Sequence, residues 1–155
     1  MAAGFKIVRD DRNKGTTKLT ATSIVVTIGD LIENVIGTDS WALVTTSSVN
    51  SSKKAIATET IASSATGSVD AIILDGTELV EAGSTNNSAS ADNGDGMIIG
   101  TATTGAMVIN NTGTTVAKET AAQIFIQYRP VGAAADKRLL GFVLVGNSVI
   151  PYAAS

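Results

Sequence analysis

The chain of 155 residues has the length of a single domain, although two very small β modules that share a core would also fit. It contains no Cys and no His, which excludes thiolate nucleophiles, zinc sites built on imidazole and Ser-His-Asp catalysis. Only 16% of the residues are charged and the net charge is −3, so the composition gives no reason to expect a nucleic-acid partner.

Uncharged polar residues dominate instead, since Thr and Ser make up about a fifth of the chain. A surface rich in these residues can be laid against another protein without stripping many ions of water. We therefore expect an assembly component that is not an enzyme and uses no cofactor or metal.

Residues 1–22 are predicted to form an extended N-terminal arm. Large apolar groups are few there, and a turn-prone stretch lies at 13–15. Within residues 1–18 five cations outnumber two carboxylates, giving a net charge of +3 and leaving −6 for the remaining chain. Arms of this kind often become ordered only on a partner.

Residues 23–155 are predicted to form one β domain, a β-barrel or β-sandwich with at most one short helix, at 116–123. Its apolar runs are short, β-branched and separated by turn residues, as in all-β folds. The predicted strands are 23–28, 31–36, 41–46, 54–61, 71–74, 77–80, 97–99, 106–109, 123–128, 139–145 and 148–152. Trp41, the only tryptophan, is a candidate core residue.

Two connections in this domain have distinct sequence signals. Asp75-Gly76, between 71–74 and 77–80, predicts a tight hairpin, because Asp-Gly suits the positive φ values of a type I′ turn. Residues 82–96 are almost all small and polar, which predicts a long, mobile exposed loop.

The other chemical signals in the chain are weak. Asp92 and Asp95 lie in a Gly-rich stretch, but their spacing departs from that of a calcium loop. A hydrolase that uses carboxylates alone is an alternative function, for which Asp70 and Asp75 would have to share a pocket. The longest apolar run, 139–145, is strand-sized and the N-terminus lacks a signal-peptide pattern, so no membrane partner is expected.

Two segments carry a resemblance to a known class of proteins. Residues 22–33 (TSIVVTIGDLIE) end a strand at Gly-Asp, and residues 54–61 (KAIATETI) have an aliphatic-Ala-x-Glu-Thr pattern. This order resembles the head decoration, or cement, proteins of tailed bacteriophages and related small virion proteins. Residues 123–145 resemble a late strand pair in such proteins, so that the resemblance covers about half of the chain.

The resemblance implies a virion structural protein that binds the outside of an expanded capsid and stabilises it. Its partners would be the major capsid protein and further copies of itself, as a homotrimer, with no nucleic acid or membrane. It would be made in the host cytoplasm and act on the capsid exterior. Another virion or appendage subunit, in a tail, fibre or pilus-like assembly, is the alternative.

Within this framework the arm supplies the predicted capsid-binding residues. Phe5 would be an apolar anchor, and Lys6, Arg9 and Arg12 would pair with capsid carboxylates. The edge of the strand at 139–145 is a candidate subunit interface, because a long apolar edge left open invites association.

Overall fold

A computed structural model describes residues 4–12, 14–111 and 123–146, with the side chains of 64–66 left aside. The described part is almost entirely β-structure, which confirms the predicted fold class, and its helical content is two single 3₁₀ turns. Most of the predicted helix at 116–123 and the predicted strand at 148–152 lie outside these residues. The strands are β1 (Phe5–Arg9), β2 (Thr17–Val26), β3 (Leu31–Asn34), β4 (Trp41–Leu43), β5 (Lys54–Ala57), β6 (Ile61–Ile73), β7 (Leu79–Gly83), β8 (Gly96–Thr101), β9 (Val108–Asn110), β10 (Phe125–Pro130) and β11 (Arg138–Val143).

The strands form two units. β2, β4, β3, β5 and β6 close into a barrel in that order, and β1, β7, β11, β10, β8 and β9 form a six-stranded sheet. The long antiparallel pair of β2 and β6 builds one wall of the barrel. Both strands are longer than the sequence predicts. Their additional positions hold mostly Thr, Ser and Ala, so the sequence shows no apolar run there.

Strands β3 and β5 join the barrel to the sheet, because both of their faces are buried. Side chains alternate between the two faces of a strand. Ile32 and Ala55 therefore point into the barrel core, whereas Leu31 and Ile56 belong to the core under the six-stranded sheet. The two units therefore have separate cores that meet at one shared wall.

The two cores differ in the size of their side chains. Four alanines and a single aromatic residue fill the barrel, whereas the second core holds two methionines and two phenylalanines among larger aliphatic groups. The barrel core consists of Leu19, Ala21, Ile24, Val26, Ile32, Trp41, Ala55, Ala57, Val69 and Ala71. Trp41 is 6% exposed, in agreement with its prediction as a core residue.

The Gly29-Asp30 step fastens the barrel to the sheet. Asp30 is buried, and its carboxylate accepts hydrogen bonds from the Thr27 N–H at 2.9 Å, the Thr104 hydroxyl at 2.6 Å and the Gly105 N–H at 3.0 Å. Gly29 has a φ of +95° and its carbonyl accepts the Phe5 N–H at 2.7 Å. Only glycine adopts such a φ without strain, so the sequence signal marks a junction between the two units.

The predicted arm at 1–22 is not a separate element. β1 pairs with β7 as an edge strand of the sheet, and β2 begins at Thr17. Phe5 is 4% exposed within the core of the sheet, because the strand directs Phe5 and Ile7 inward. The β domain therefore starts close to residue 5, and its boundary at residue 23 is wrong.

The predicted Asp75-Gly76 hairpin is also wrong, since β6 lies in the barrel and β7 in the sheet. Only Gly76 of the pair has a positive φ, so the turn is not of type I′. The buried Glu78 carboxylate accepts the backbone N–H groups of Asp75 and Gly76, and Asp75 accepts the Thr77 N–H. These bonds turn the chain out of one unit and into the other.

The 82–96 loop is bound to the body of the protein along most of its length. The Asn111 side-chain amide donates to the carbonyls of Asn86 and Asn87 and accepts the Asn86 N–H. Farther along, the buried Gln127 amide donates to the Ala89 carbonyl at 2.8 Å. Side-chain amides thus replace the apolar contacts that the loop lacks.

Candidate protein-docking face

The outer face of the six-stranded sheet presents side chains to solvent. Inward-facing residues of its strands, among them Val80, Leu139 and Phe125, lie in the core. Their neighbours along each strand therefore point outward. One row of registered outward residues crosses four strands and consists of Lys6, Glu81, Leu140 and Arg129.

Two β-bulges place apolar side chains on this face. The register shifts between Ile7 and Arg9 in β1 and between Gln127 and Arg129 in β10, leaving Val8 and Tyr128 without partners. A bulge redirects the side chain of its extra residue. Val8 is 50% exposed and Tyr128 is 54% exposed, although both are large apolar groups.

Tyr128 does not stand alone on the face. Its ring meets that of Phe142 edge to face, with centroids 6.2 Å apart and planes at 64°. Phe142 follows Leu140 outward on β11 and pairs across the ladder with Ile126. The two aromatic rings thus form a partly exposed apolar centre.

The charges on this face are unbalanced. Four cations, Lys6, Arg9, Arg129 and Arg138, accompany one carboxylate, that of Glu81, which is ion-paired with Arg138. Arg9 is ion-paired with the exposed Asp11 at 3.6 Å. Within the described residues Lys6 has no side-chain partner, and Arg129 donates only to the Pro130 carbonyl. This face therefore carries a surplus of cations, although Asp11 offsets Arg9, in a chain whose net charge is −3. We call the surface formed by the residues in the following list the basic face: Lys6, Val8, Arg9, Glu81, Tyr128, Arg129, Arg138 and Phe142. Leu140 has the same outward register but is buried.

The residues predicted to bind a capsid separate into two groups. Lys6 and Arg9 lie on the basic face and are exposed. Phe5 is buried in the core of its own sheet, so its prediction as an external anchor is wrong. Arg12 lies off this face and contacts Asp75 at 3.2 Å.

Arg12 belongs to an ion cluster in which Arg12 and Lys14 contact the turn after β6. Lys14 is ion-paired with the buried Glu78 carboxylate and lies 3.5 Å from Asp75. Burial would raise the pKa of Asp75. Hydrogen bonds donated by Thr77 and the positive charge of Lys14 outweigh burial and lower this pKa to about 2. Burial would lower the pKa of Lys14, but its hydrogen bond and ion pair with Glu78, together with the nearby charge of Asp75, raise that pKa overall. These charges hold the chain to itself.

Sequence reasoning missed the aromatic pair and the cations of the late strands. Arg129, Arg138, Tyr128 and Phe142 lie in β10 and β11, whose apolar runs indicate strands without showing which face meets solvent. The β-bulge at Tyr128 has no sequence signature. The alternation in 138–143, which places Arg138 and Phe142 on the same face, is the one signal that could have found part of this surface.

Asp70 and Asp75, the carboxylates that a hydrolase would use, are paired with lysines. Asp70 pairs with Lys18 at 3.0 Å, and Asp75 lies beside Lys14. Cavities are present beside β1, β2 and β3, and neither Asp70 nor Asp75 lines them. The carboxylate-pair arrangement that a hydrolase would need is thus not observed in those cavities.

Buried Lys54 donates to the Val49 carbonyl at 2.6 Å and to the Ser52 hydroxyl at 2.8 Å. Ser52 in turn donates to Glu33 at 2.9 Å. Burial lowers the pKa of Lys54 to about 8, against the opposing effect of Glu33. This network closes the loop between β4 and β5.

Among the described residues, no group of three acidic side chains is placed to hold a metal ion. No helix in the described part of the chain has the length and apolar character needed to cross a bilayer. Comparison with protein-family models, curated proteins and solved structures found no match.

Proposed function

We propose that this protein is a virion structural protein of the decoration, or cement, class, which binds the outer surface of a phage capsid and stabilises it. The observation that carries the proposal is the basic face, an exposed sheet surface with surplus cations around an aromatic centre. The resemblance of residues 22–33 and 54–61 and the all-β fold support the same class.

The chemistry of the basic face suits a protein partner that carries carboxylates. Arginine and tyrosine are enriched at protein interfaces, where they supply contact area together with hydrogen bonds. Complementary charge speeds association and selects the partner. The partner that fits is therefore an acidic protein surface with apolar groups opposite Tyr128 and Phe142.

A capsid also explains how a modest face can be sufficient. A lattice presents the same surface many times, and a subunit that contacts it as a homotrimer gains effective concentration at each further contact. Many weak bonds then bridge neighbouring capsid subunits and resist their separation.

The test is co-sedimentation of the full chain with expanded, undecorated heads of the phage that encodes it. Wild-type protein is expected to saturate the heads, with binding that weakens as salt is raised. Lys6→Glu combined with Arg129→Glu should reduce the affinity at least tenfold. Lys18→Glu combined with Lys53→Glu makes the same change of charge on exposed lysines outside the basic face and should leave binding close to wild type.

Three outcomes would contradict the proposal. The first is absence of binding to heads, and the second is binding to purified tails in its place. The third is equal loss of binding in both pairs of variants, which would show that only net charge matters. Native mass spectrometry of the unbound protein checks the trimer separately.

A further inference from the structure

A cavity of about 270 Å³ opens at the corner of the basic face where β1 begins. Its floor is largely backbone, because Gly4, Gly29 and Gly83 contribute no side chains. The charged groups at its rim are Lys6, Glu81 and Arg138.

The charges around this cavity leave one cation free. Glu81 is ion-paired with Arg138, and the exposed fractions of their side chains are 16% and 32%. Lys6 is registered opposite Glu81 but forms no side-chain bond within the described residues. An incoming carboxylate would meet Lys6 and the outer edge of the Arg138 guanidinium. The guanidinium has N–H donors left over after its pairing with the Glu81 carboxylate.

An apolar wall completes the cavity. Ile28, in the turn before β3, is 64% exposed and lines it together with Phe5. An exposed isoleucine beside two cations suits the aliphatic stem and charged end of one acidic side chain. The neighbouring Gly29 carbonyl is already bonded to the Phe5 N–H, so the wall is held in place.

We propose that this cavity binds a carboxylate side chain, and that on the capsid it receives a glutamate or aspartate of the protein contacted by the basic face. The second part rests on the proposed function, whereas carboxylate binding as such does not. The cavity would fix the position of the subunit on the lattice, since a carboxylate bound by two cations at a corner defines the register of the whole face.

The first experiment titrates the isotope-labelled full chain with N-acetylglutamate and follows the amide chemical shifts. Saturable shifts are expected at Gly4, Lys6, Gly29 and Gly83. N-acetylglutamine, the neutral isostere, should bind at least fivefold more weakly. Lys6→Ser should also weaken N-acetylglutamate binding at least fivefold while leaving the remaining spectrum unchanged. Equal responses to the two compounds, or no saturable response, would overturn the inference.

The second experiment compares Ile28→Asp with Ile36→Asp in binding to expanded heads. These two isoleucines are similarly exposed, at 64% and 69%, and lie in the turns at opposite ends of β3. Ile28→Asp supplies an internal carboxylate that competes for the cavity and should lower the affinity about tenfold, whereas Ile36→Asp should not.

The two experiments separate the two claims. If the protein binds N-acetylglutamate saturably but does not bind heads, the proposed function is refuted and the carboxylate site is retained. Binding of Ile28→Asp to heads with undiminished affinity would refute the docking role of the cavity.

Discussion

The barrel wall and the outer face of the sheet arrange their charges in opposite ways. On the wall, Lys18 lies opposite Asp70 in the register and pairs with it at 3.0 Å, and Thr20 lies opposite Ser68. On the sheet, Lys6 lies opposite Glu81, but that carboxylate is taken by Arg138. The barrel thus balances its charge across neighbouring strands, whereas the sheet leaves a surplus of cations at its surface.

The comparison shows why overall composition conceals the candidate site. A chain of net charge −3 with few charged residues has no evident basic character. The sheet nevertheless gathers four cations on one face, because β1, β10 and β11 each contribute outward positions to it. The charged residues of this chain therefore indicate a binding surface only when the strand register shows which of them share a face.

The largest expected effect lies at the junction of the two units. Asp30→Ala removes a buried carboxylate that accepts three hydrogen bonds, including those from Thr104 and Gly105 in the loop between β8 and β9. We expect the free energy of unfolding to fall by about 3 kcal/mol, because three hydrogen bonds to a charged group are lost, although the partly exposed donors can bind water in their place. Urea unfolding measures this.

Asp39→Ala, in the exposed turn after β3, is the matched control and should change stability by less than about 0.5 kcal/mol. Similar small effects of both substitutions would show that the barrel and the sheet do not depend on Asp30 for their union.

A smaller expected effect is a dependence of stability on pH, and it comes from buried Lys54 in β5. The pKa of Lys54 is lowered by burial to about 8 in the folded protein, against 10.5 for a free lysine. Between these values the unfolded chain holds a proton that the folded protein has lost, so the free energy of unfolding rises with pH. From pH 7 to 9.5 the wild type should gain about 2 kcal/mol relative to Lys54→Met.

Urea unfolding of both proteins at several pH values isolates this contribution, since the other titrating groups are common to them. Parallel stability curves would mean that the Lys54 amine is not desolvated in the folded state.

The smallest stability effect concerns the 82–96 loop beside the sheet. Asn111→Ala removes the amide that binds the Asn86 and Asn87 carbonyls. We expect a loss of about 1 kcal/mol, together with faster hydrogen exchange confined to residues 85–88. Unchanged exchange there would show that the loop is held by other contacts.

The sequence predicts the fold class and many central strands because their signal is local. Short apolar runs bounded by turn residues mark β3 and β5, and Trp41 marks a core. The Thr- and Ser-rich parts of β2 and β6 were missed because a strand whose outer face is uncharged and polar resembles a loop. The Asp75-Gly76 hairpin prediction is wrong, since the turn residues do not determine that β6 pairs within the barrel while β7 pairs within the sheet.

The candidate site was predictable only in part, for a related reason. Lys6 and Arg9 stood out because the first 18 residues are rich in cations. Arg12 shares that signal, yet it contacts Asp75 from a distant part of the sequence. Tyr128 and Arg129 join the face through a β-bulge and a register that only the folded sheet defines.

Hydrogen-exchange mass spectrometry of the protein bound to expanded heads tests the central claim most directly. If the basic face is the contact surface, binding should slow exchange in β1, β10 and β11 and leave β2 and β6 unchanged. Protection of β2 and β6 with none on β1, β10 and β11 would contradict the account.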